Sequence, residues 1–290
     1  MPTKSDSVIV DRSKDRRILD FRPLGFRDAV VLGRYSYASA HDRLEDHNHG
    51  KMLEICFLES GKQKYTVEGK SYDLVGGDLF VTLPDETHGT GETPEEKGTL
   101  FWLLLSVPQA RHRYLGLTAV EGRQLFEQFS KLPERQFRAA SSIKKTLYNI
   151  FSAFDDDNPL RSINLKNLLL RFLLDVLDSS RQSRPAASST IRDVQQYIAA
   201  NSNKMLSLRQ LADVANLSQS RLKARFKAEV GIPPADYIMR HKVEKAKHLL
   251  RTSRQNITQI AMGLGFSSTQ YFAVTFKRYT GKTPSEYRES

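Results

Sequence analysis

The last third of the chain writes one pattern twice: a short helix, a turn, and a second helix that buries two large apolar residues four positions apart. In the second copy, Ile257 to Arg288 reads ITQIAMGLGFSSTQYFAVTFKRYTGKTPSEYR. Ile257, Ile260 and Ala261 recur at helical spacing, Gly263 and Gly265 break that helix, and Ser267 or Ser268 offers an oxygen to cap the next. The helix that follows, Thr269 to Tyr279, is expected to bury Phe272 and Phe276 on one face. Gln270, Val274 and Lys277 then point outward, with Ala273 and Arg278 on the flanks. Gly281 stops the helix, Pro284 opens a short final one, and Tyr287 is placed to fold its ring back. A pair of amphipathic helices with a solvated charged face would show as much, so one copy alone is weak. The first copy is Leu206 to Gly231, LSLRQLADVANLSQSRLKARFKAEVG. Here Leu208, Leu211, Ala212 and Ala215 precede the turn Asn216-Leu217-Ser218, and Leu222 and Phe226 are the buried pair. Its outward face is Ser220, Ala224 and Lys227, flanked by Arg221 and Lys223, with Gln219 at the helix start. Pro234 to Arg251 supplies a helical spacer with an apolar stripe through Tyr237, Ile238, Val243, Ala246, Leu249 and Leu250. Outward faces of this kind fit a DNA major groove.

The residues Ile260-Ala261, Gly265-Phe266, Tyr271-Phe272, Phe276-Lys277, Gly281, Thr283-Pro284 and Tyr287-Arg288 resemble the signature of the AraC/XylS class of bacterial transcription regulators. The match runs from Ile191 to Ser290. The resemblance implies a monomer that places two recognition helices in successive major-groove segments of double-stranded DNA. Position by position it implies base contacts from Gln219, Ser220, Lys223 and Ala224 in the first head, and from Ser268, Thr269, Gln270, Ala273 and Val274 in the second. RNA polymerase is the protein partner it implies. Family members often carry a long polar or basic side chain at the positions of Ala224 and Val274. Thymine-methyl contacts or readout of DNA shape would have to substitute there.

Charge follows the same division. Residues 181–290 hold 19 Lys and Arg against 7 Asp and Glu, and the other 180 residues hold 25 against 26. The positive field therefore belongs to the C-terminal part, as expected of a DNA-binding domain attached to a neutral one. A membrane surface is a poorer partner for it, because no exposed apolar face accompanies the basic residues. Cys56 is the single cysteine, so no internal disulfide forms, which fits a reducing cytoplasm. The start of the chain has only the apolar run Val8 to Val10 and reads as no secretory signal. Leu100 to Val107 and Leu168 to Leu177 are too short or too interrupted to span a bilayer, so a soluble cytoplasmic protein is expected.

The N-terminal half reads as short strands: Ala29 to Ala38, Leu53 to Leu58, Lys64 to Val67, Ser71 to Leu74, Leu79 to Leu83 and Thr99 to Val107. Turns are expected at Ser60-Gly61, Glu68-Gly69-Lys70 and Gly76-Gly77-Asp78. Evenly spaced strands with glycine turns indicate an antiparallel sandwich or small barrel. His47-Asn48-His49, Glu54 and Gly61, followed by Gly77-Asp78, Pro84 and His88, resemble the two motifs of the cupin fold, with Asp85 where a glycine is usual. His47 and His49 lie on one side of an extended chain, the spacing two imidazoles need to share a metal. Glu54 and His88 would complete a set like that of metal-binding cupins. Strand parity sets His49 and Glu54 on opposite sides unless the chain bends, and Gly50 is where it could. The other reading is that these side chains hydrogen-bond a polar ligand, or one another, without a metal, and for a regulator this is the expectation. Tyr65 and Trp102 are candidate stacking platforms for a sugar, though the same rings would serve as core. His41 reads as a solvated loop residue.

Gly122 to Leu132, Ile143 to Phe154 and Leu160 to Leu177 are helical in pattern. The last is so dense in leucine that it must bury more than one face, some of it against the barrel; core packing alone would account for the rest, as would a second subunit, which the family resemblance implies. SSRQSRPAASST, Ser179 to Thr190, has linker composition. The expected architecture is α+β and multidomain: a cupin-like antiparallel β-barrel sensor over 1–115, a helical dimerisation segment over 116–180, a linker over 181–190, and an all-α double helix-turn-helix domain over 191–290. The expected function is sequence-specific regulation of transcription, controlled by a small polar effector, a sugar among the candidates, in the barrel, with no catalytic residues. A metal-dependent cupin enzyme built on His47, His49, Glu54 and His88, and an architectural DNA binder whose barrel only dimerises, are the alternatives.

Overall fold

The computed structural model describes residues 15–182 and 187–289; the run Val8 to Val10 and the middle of the expected linker, 183–186, lie outside the described residues. The N-terminal half is organised by one long strand, β3 (Met52–Val67), whose alternation decides both faces of the sheet. Leu53, Ile55 and Phe57 point to one side, into the main core, while Cys56 and Leu58 point to the other with Tyr65, Phe80 and Leu100. Around it lie β1 (Arg16–Asp20), β2 (Ala29–Tyr37), β4 (Lys70–Val75), β5 (Asp78–Thr82), β6 (His88–Gly89), β7 (Gly98–Ser106) and β8 (Gln136–Arg138). The order is β1-β2-β7-β3-β5-β8, with β4 and β6 pairing the far half of β3, and every pairing is antiparallel.

The turn expected at Ser60-Gly61 is not a turn. β3 runs straight through it, with a register shift between Leu58 and Ser60 and Gly61 at φ +100°. The extra residue bends the strand out of one sheet and into the other, which a bulge does without ending the ladder. The hairpin at Glu68-Gly69 forms as expected, both residues at positive φ.

Three helices follow: α1 (Ala119–Ser130), α2 (Ser141–Asp155) and α3 (Arg161–Ser180). Ile143, Leu147, Ile150 and Phe151 of α2, and Leu165, Leu169, Phe172, Leu173 and Val176 of α3, share one cluster with the β3 and β7 residues Ile55, Phe57, Phe101 and Leu103. The helices are thus the outer layer of the sheet's own core. The opposite face of α3 is bare: Leu160, Ile163 and Leu174 are 62%, 65% and 51% exposed.

The C-terminal half is wholly helical: α4 (Ser189–Ala200), α5 (Leu208–Ala215), α6 (Gln219–Val230), α7 (Pro234–Thr252), α8 (Ile257–Gly263), α9 (Thr269–Thr280) and α10 (Pro284–Glu289). Helix α4 begins inside the span of linker composition, because Ser188 is its cap and accepts from Ile191 N–H. A capping serine and a linker serine look alike in sequence. The two copies repeat down to single bonds. Capping boxes Ser207/Gln210 and Asn256/Gln259 open α5 and α8. Leu217 N–H donates to Ala212 O and Phe266 N–H to Ala261 O, each at 3.0 Å. The left-handed turn position is Asn216 at φ +50° in one copy and Gly265 at φ +67° in the other. Each copy has its own core, one around Leu222 and Phe226 and one around Phe272 and Phe276, bridged by Met239 of α7. Tyr287 folds back onto Phe276, ring centroids 5.3 Å apart.

Candidate functional site

The outward faces of α6 and α9 carry the expected DNA-contacting residues. Gln219, Ser220, Arg221, Lys223, Ala224 and Lys227 are all exposed on α6, and Gln270, Val274 and Lys277 on α9, with Ala273 half-buried. Val274 is 60% exposed, an apolar group that nothing in the fold covers. Ser268 and Thr269 are placed differently. Ser268 is the cap of α9, accepting from Tyr271 N–H at 3.1 Å, and the Thr269 hydroxyl donates to Thr258 at 3.2 Å. Both hydroxyls help to orient the helix. Lys242, unremarked in the sequence, is buried and donates from Nζ to Gly265 O, holding the turn of the second copy.

In the barrel the structure gathers His47, His49 and His88, whose ring nitrogens lie within 4.8 Å of one another. The parity problem is solved where expected. Gly50 adopts φ +57°, β3 begins only at Met52, and His49 Nε2 comes to 3.8 Å from Glu54 Oε1. His47 reaches the site through a bridge to His88, with N–H···O bonds of 3.0 and 2.9 Å between their backbones. Glu54 is buried, takes a hydrogen bond from the Thr82 hydroxyl, and lies 3.0 Å from His88 Nε2. Burial raises the pKa of Glu54, but contact with His88 and the charges of His88, His49 and His47 outweigh it and hold the carboxyl down at about 2. For His49 burial wins and the pKa is lowered; for His88 burial is overcome by Glu54 and it is raised. The site is an ionised carboxylate facing three imidazoles, a donor set that fits a divalent cation or a polar ligand.

Beneath it, Tyr65 is buried, its ring 5.2 Å from Phe80 and its hydroxyl 4.0 Å from Cys56 Sγ. Burial pushes the Cys56 thiol well up, so this cysteine is a packing residue. Trp102 is partly buried, against Gly33 on one side and beneath the Arg16 guanidinium at 4.9 Å. Tyr65 therefore lies in the core as a floor to the barrel. His41 is exposed, as expected, but its ring stacks on Tyr37 and its backbone bridges Glu95.

One segment connects this cluster to the helical half. From His88 in β6 the chain runs through a loop to Glu96 and Lys97, which grip α7. Arg240 pairs with Glu96 and Asp236, Lys97 pairs with Asp236, and Tyr279 of α9 donates to Asp236 at 2.6 Å. These side chains are largely buried, and although burial alone would raise the Asp236 carboxyl, Arg240, Lys97 and Tyr279 hold it below its ordinary value. A second contact lies at α6. Arg138 donates to Ala228 O at 2.8 Å, and the backbones of Gly76 and Gly231 approach so closely that a Cβ on Gly76 would come within 2.3 Å of Gly231 O. Ala224 and Lys227 face Glu59, Gly76, Arg138 and Lys144 across a cleft of about 350 Å³. Sequence reading missed Glu96, Lys97, Arg138, Asp236 and Arg240, since charges on a basic helix and a polar loop look solvated until the two halves are docked.

Two family models match the chain: an AraC-like ligand binding domain over residues 29–173 and a helix-turn-helix domain over 211–290. The Msm operon regulatory protein of Streptococcus mutans serotype c is 25% identical over 247 residues, covering 81% of this chain and 83% of that protein. The arabinose operon regulatory protein of Escherichia coli K12 is 27% identical over 243 residues, covering 82% and 80%. Among solved structures, the C-terminal domain of AraT, a response regulator from Geobacillus stearothermophilus, is 30% identical, covers 36% of this chain and 88% of that one, and has a TM-score of 0.35.

Proposed function

Because the chain belongs to the AraC family of transcription regulators, with a ligand-binding domain ahead of its helix-turn-helix domain, we propose that occupancy of the histidine cluster decides how firmly the sensor holds the first recognition helix. The observation that carries this is the loop from His88 to Lys97, one end in the cluster and the other in the ion pairs on α7. DNA and sensor compete for the face of α6 that carries Ala224 and Lys227. An effector must therefore bind the open arrangement better than the closed one, since differential affinity alone shifts such a balance. Buried charge pairs suit a two-state device: broken on one side, they leave an uncompensated charge, so the interface opens as a unit.

Arg138→Ala is expected to strengthen effector-free DNA binding about tenfold, roughly 1.4 kcal/mol, read by fluorescence anisotropy on a selected site. Unchanged affinity would overturn the competition.

The effector is a small polar molecule of the sugar class, a reading supported by the arabinose-named relative and by the polar side chains at the barrel mouth. Lys and Arg of the C-terminal domain neutralise phosphates, while Gln219, Lys223, Gln270 and the exposed methyls of Ala224 and Val274 read bases. Gln270→Ala is expected to cost about 1–3 kcal/mol at one base position, seen as relaxed preference there in a selection from random DNA. A uniform loss across all sequences would show Gln270 to be a phosphate contact instead.

A homodimer forms through α3. Leu160, Ile163, Asn167 and Leu174 recur at spacings of three, four and seven along the side away from the core, and all four are exposed. That spacing is the seam of a two-helix coiled coil, whose natural partner is a second copy. Among the described residues no helix is long and apolar enough to cross a membrane. The protein acts in the cytoplasm, with RNA polymerase as its protein partner on DNA, as a sensor and not an enzyme.

A further inference from the structure

We infer that Lys242 and Gly265 lock the two reading heads together at one separation, so that the spacing between two blocks of DNA sequence is itself read by the protein. The inference rests on the reading of α6 and α9 as the base-contacting helices and is independent of what the barrel binds. Helix α7 runs through both heads, giving Ile238 to the first core and Val243, Ala246 and Leu250 to the second. A shared helix sets how far apart the heads lie, yet it leaves each one free to swivel about its axis. A second contact, away from that axis, removes the freedom.

The turn of the second head makes such a contact. Gly265 stands at φ +67°, and a methyl group built on it would come within 2.7 Å of Asn203 O and 3.0 Å of Lys204 C. Asn203 and Lys204 belong to the turn between α4 and α5 of the first head. That turn is itself held: Ser202 is buried and its hydroxyl donates to Ala199 O at 3.1 Å, while Lys204 N–H donates to Asn201 O at 2.9 Å. The same left-handed position in the first head is Asn216, which is exposed, so a side chain is tolerated there. At Gly265 the backbone of the other head takes the place of a side chain, and only glycine fits.

Lys242 holds the other side of this turn. Gly265 N–H donates to Met262 O and Phe266 N–H to Ala261 O, each at 3.0 Å, and the Gly265 carbonyl accepts from Lys242 Nζ at 3.1 Å. Lys242 is 2% exposed, its ammonium lies 5.1 Å from the Phe266 ring, and burial lowers its pKa with no neighbouring charge to oppose the shift. An unbranched apolar side chain such as methionine would fill the same space without burying a charge. What the ammonium adds is direction: bonded to one carbonyl, it fixes how α7 meets the turn, and with it the angle between α6 and α9.

The test uses the full-length protein and the duplex it selects from random DNA, with one or two base pairs inserted between the two blocks. Each inserted pair moves the second block about 3.4 Å along the duplex and turns it about 35° around the axis. Wild type is expected to bind the two-pair insertion about 100-fold more weakly than the parent, as if two base positions were mismatched. Lys242→Met should remain folded by circular dichroism and narrow that penalty to about tenfold, the cost of one such position. Gly265→Ala should do the same by wedging the heads apart, and it decides by the same criteria if Lys242→Met does not fold. Wild type that discriminates each block but tolerates the insertions overturns the lock alone. So does a folded variant that keeps the wild-type penalty, or one that loses affinity equally at every spacing, as a merely structural residue would. Equal binding to a duplex with one block scrambled overturns the two-head reading and the lock together.

Discussion

Phe276→Ala should unfold the second reading head and abolish high-affinity DNA binding. Phe276 is 0% exposed and packs on Phe272 at 5.7 Å and on Tyr287 at 5.3 Å, inside a cluster that also holds Ile260, Phe266 and Val243. Truncating such a ring costs about 3–5 kcal/mol. The head has little in reserve: α9 has 12 residues and α8 has 7, lengths at which an isolated helix is marginal, so packing supplies its stability. Denaturant unfolding followed by circular dichroism should show an early transition absent from the wild type, and anisotropy should show loss of binding to the selected DNA site. Lys277→Ala, on the exposed face of the same helix, is expected to stay within about 0.5 kcal/mol of wild-type stability while weakening binding at low salt. A Phe276→Ala protein that unfolds in one transition at a lowered midpoint would mean that the two heads do not unfold as separate cores, and one at the wild-type midpoint would mean that Phe276 carries none of the stability assigned to it.

Ile163→Lys/Leu174→Lys should turn the dimer into a monomer without unfolding the sensor. Both side chains are more than half exposed in the single chain, so a lysine there meets water until a second α3 arrives. In the dimer the four lysines would face one another across an apolar seam, where like charges are costly. Sedimentation velocity should give a monomer for the variant and a dimer for the wild type at micromolar concentration. Affinity for paired DNA sites should fall by about 10²- to 10⁴-fold, the usual gain from linking two binding modules, while affinity for one site is unchanged. A wild type that sediments as a monomer would rule out the α3 seam.

The double head was legible because its signals are local. Gly281 and Gly231 stand at the left-handed C-caps of α9 and α6, Ser218 and Ser268 at their N-caps, and Phe226 and Phe276 recur four residues after their partners. Backbone geometry at those positions admits few residue types, so the letters report the turn. The barrel was legible in outline for the same reason, through its glycine and hairpin positions. Strand β8 and the continuity of β3 through Gly61 were not, since a three-residue strand has no period to read and a bulge looks like a turn. The sequence also could not choose the cap of the second head: Ser267 and Ser268 both offered an oxygen, and only the position of Tyr271 N–H picks Ser268.

What the chain determined by itself was therefore the identity of its parts: two reading heads, a small barrel with His47, His49, Glu54 and His88 at its mouth, and a leucine-rich helix with one face too many. Tertiary structure decided how those parts meet. The closeness of Gly76 to Gly231, and the hold of Glu96 and Lys97 on Asp236 and Arg240, are contacts between residues up to 155 positions apart. Periodicity and capping act within a few residues, so they carry no information about such pairs. Long-range contacts arise only when whole faces are buried against each other, and in this protein those contacts join the sheet domain that carries the histidine cluster to the helix-turn-helix domain.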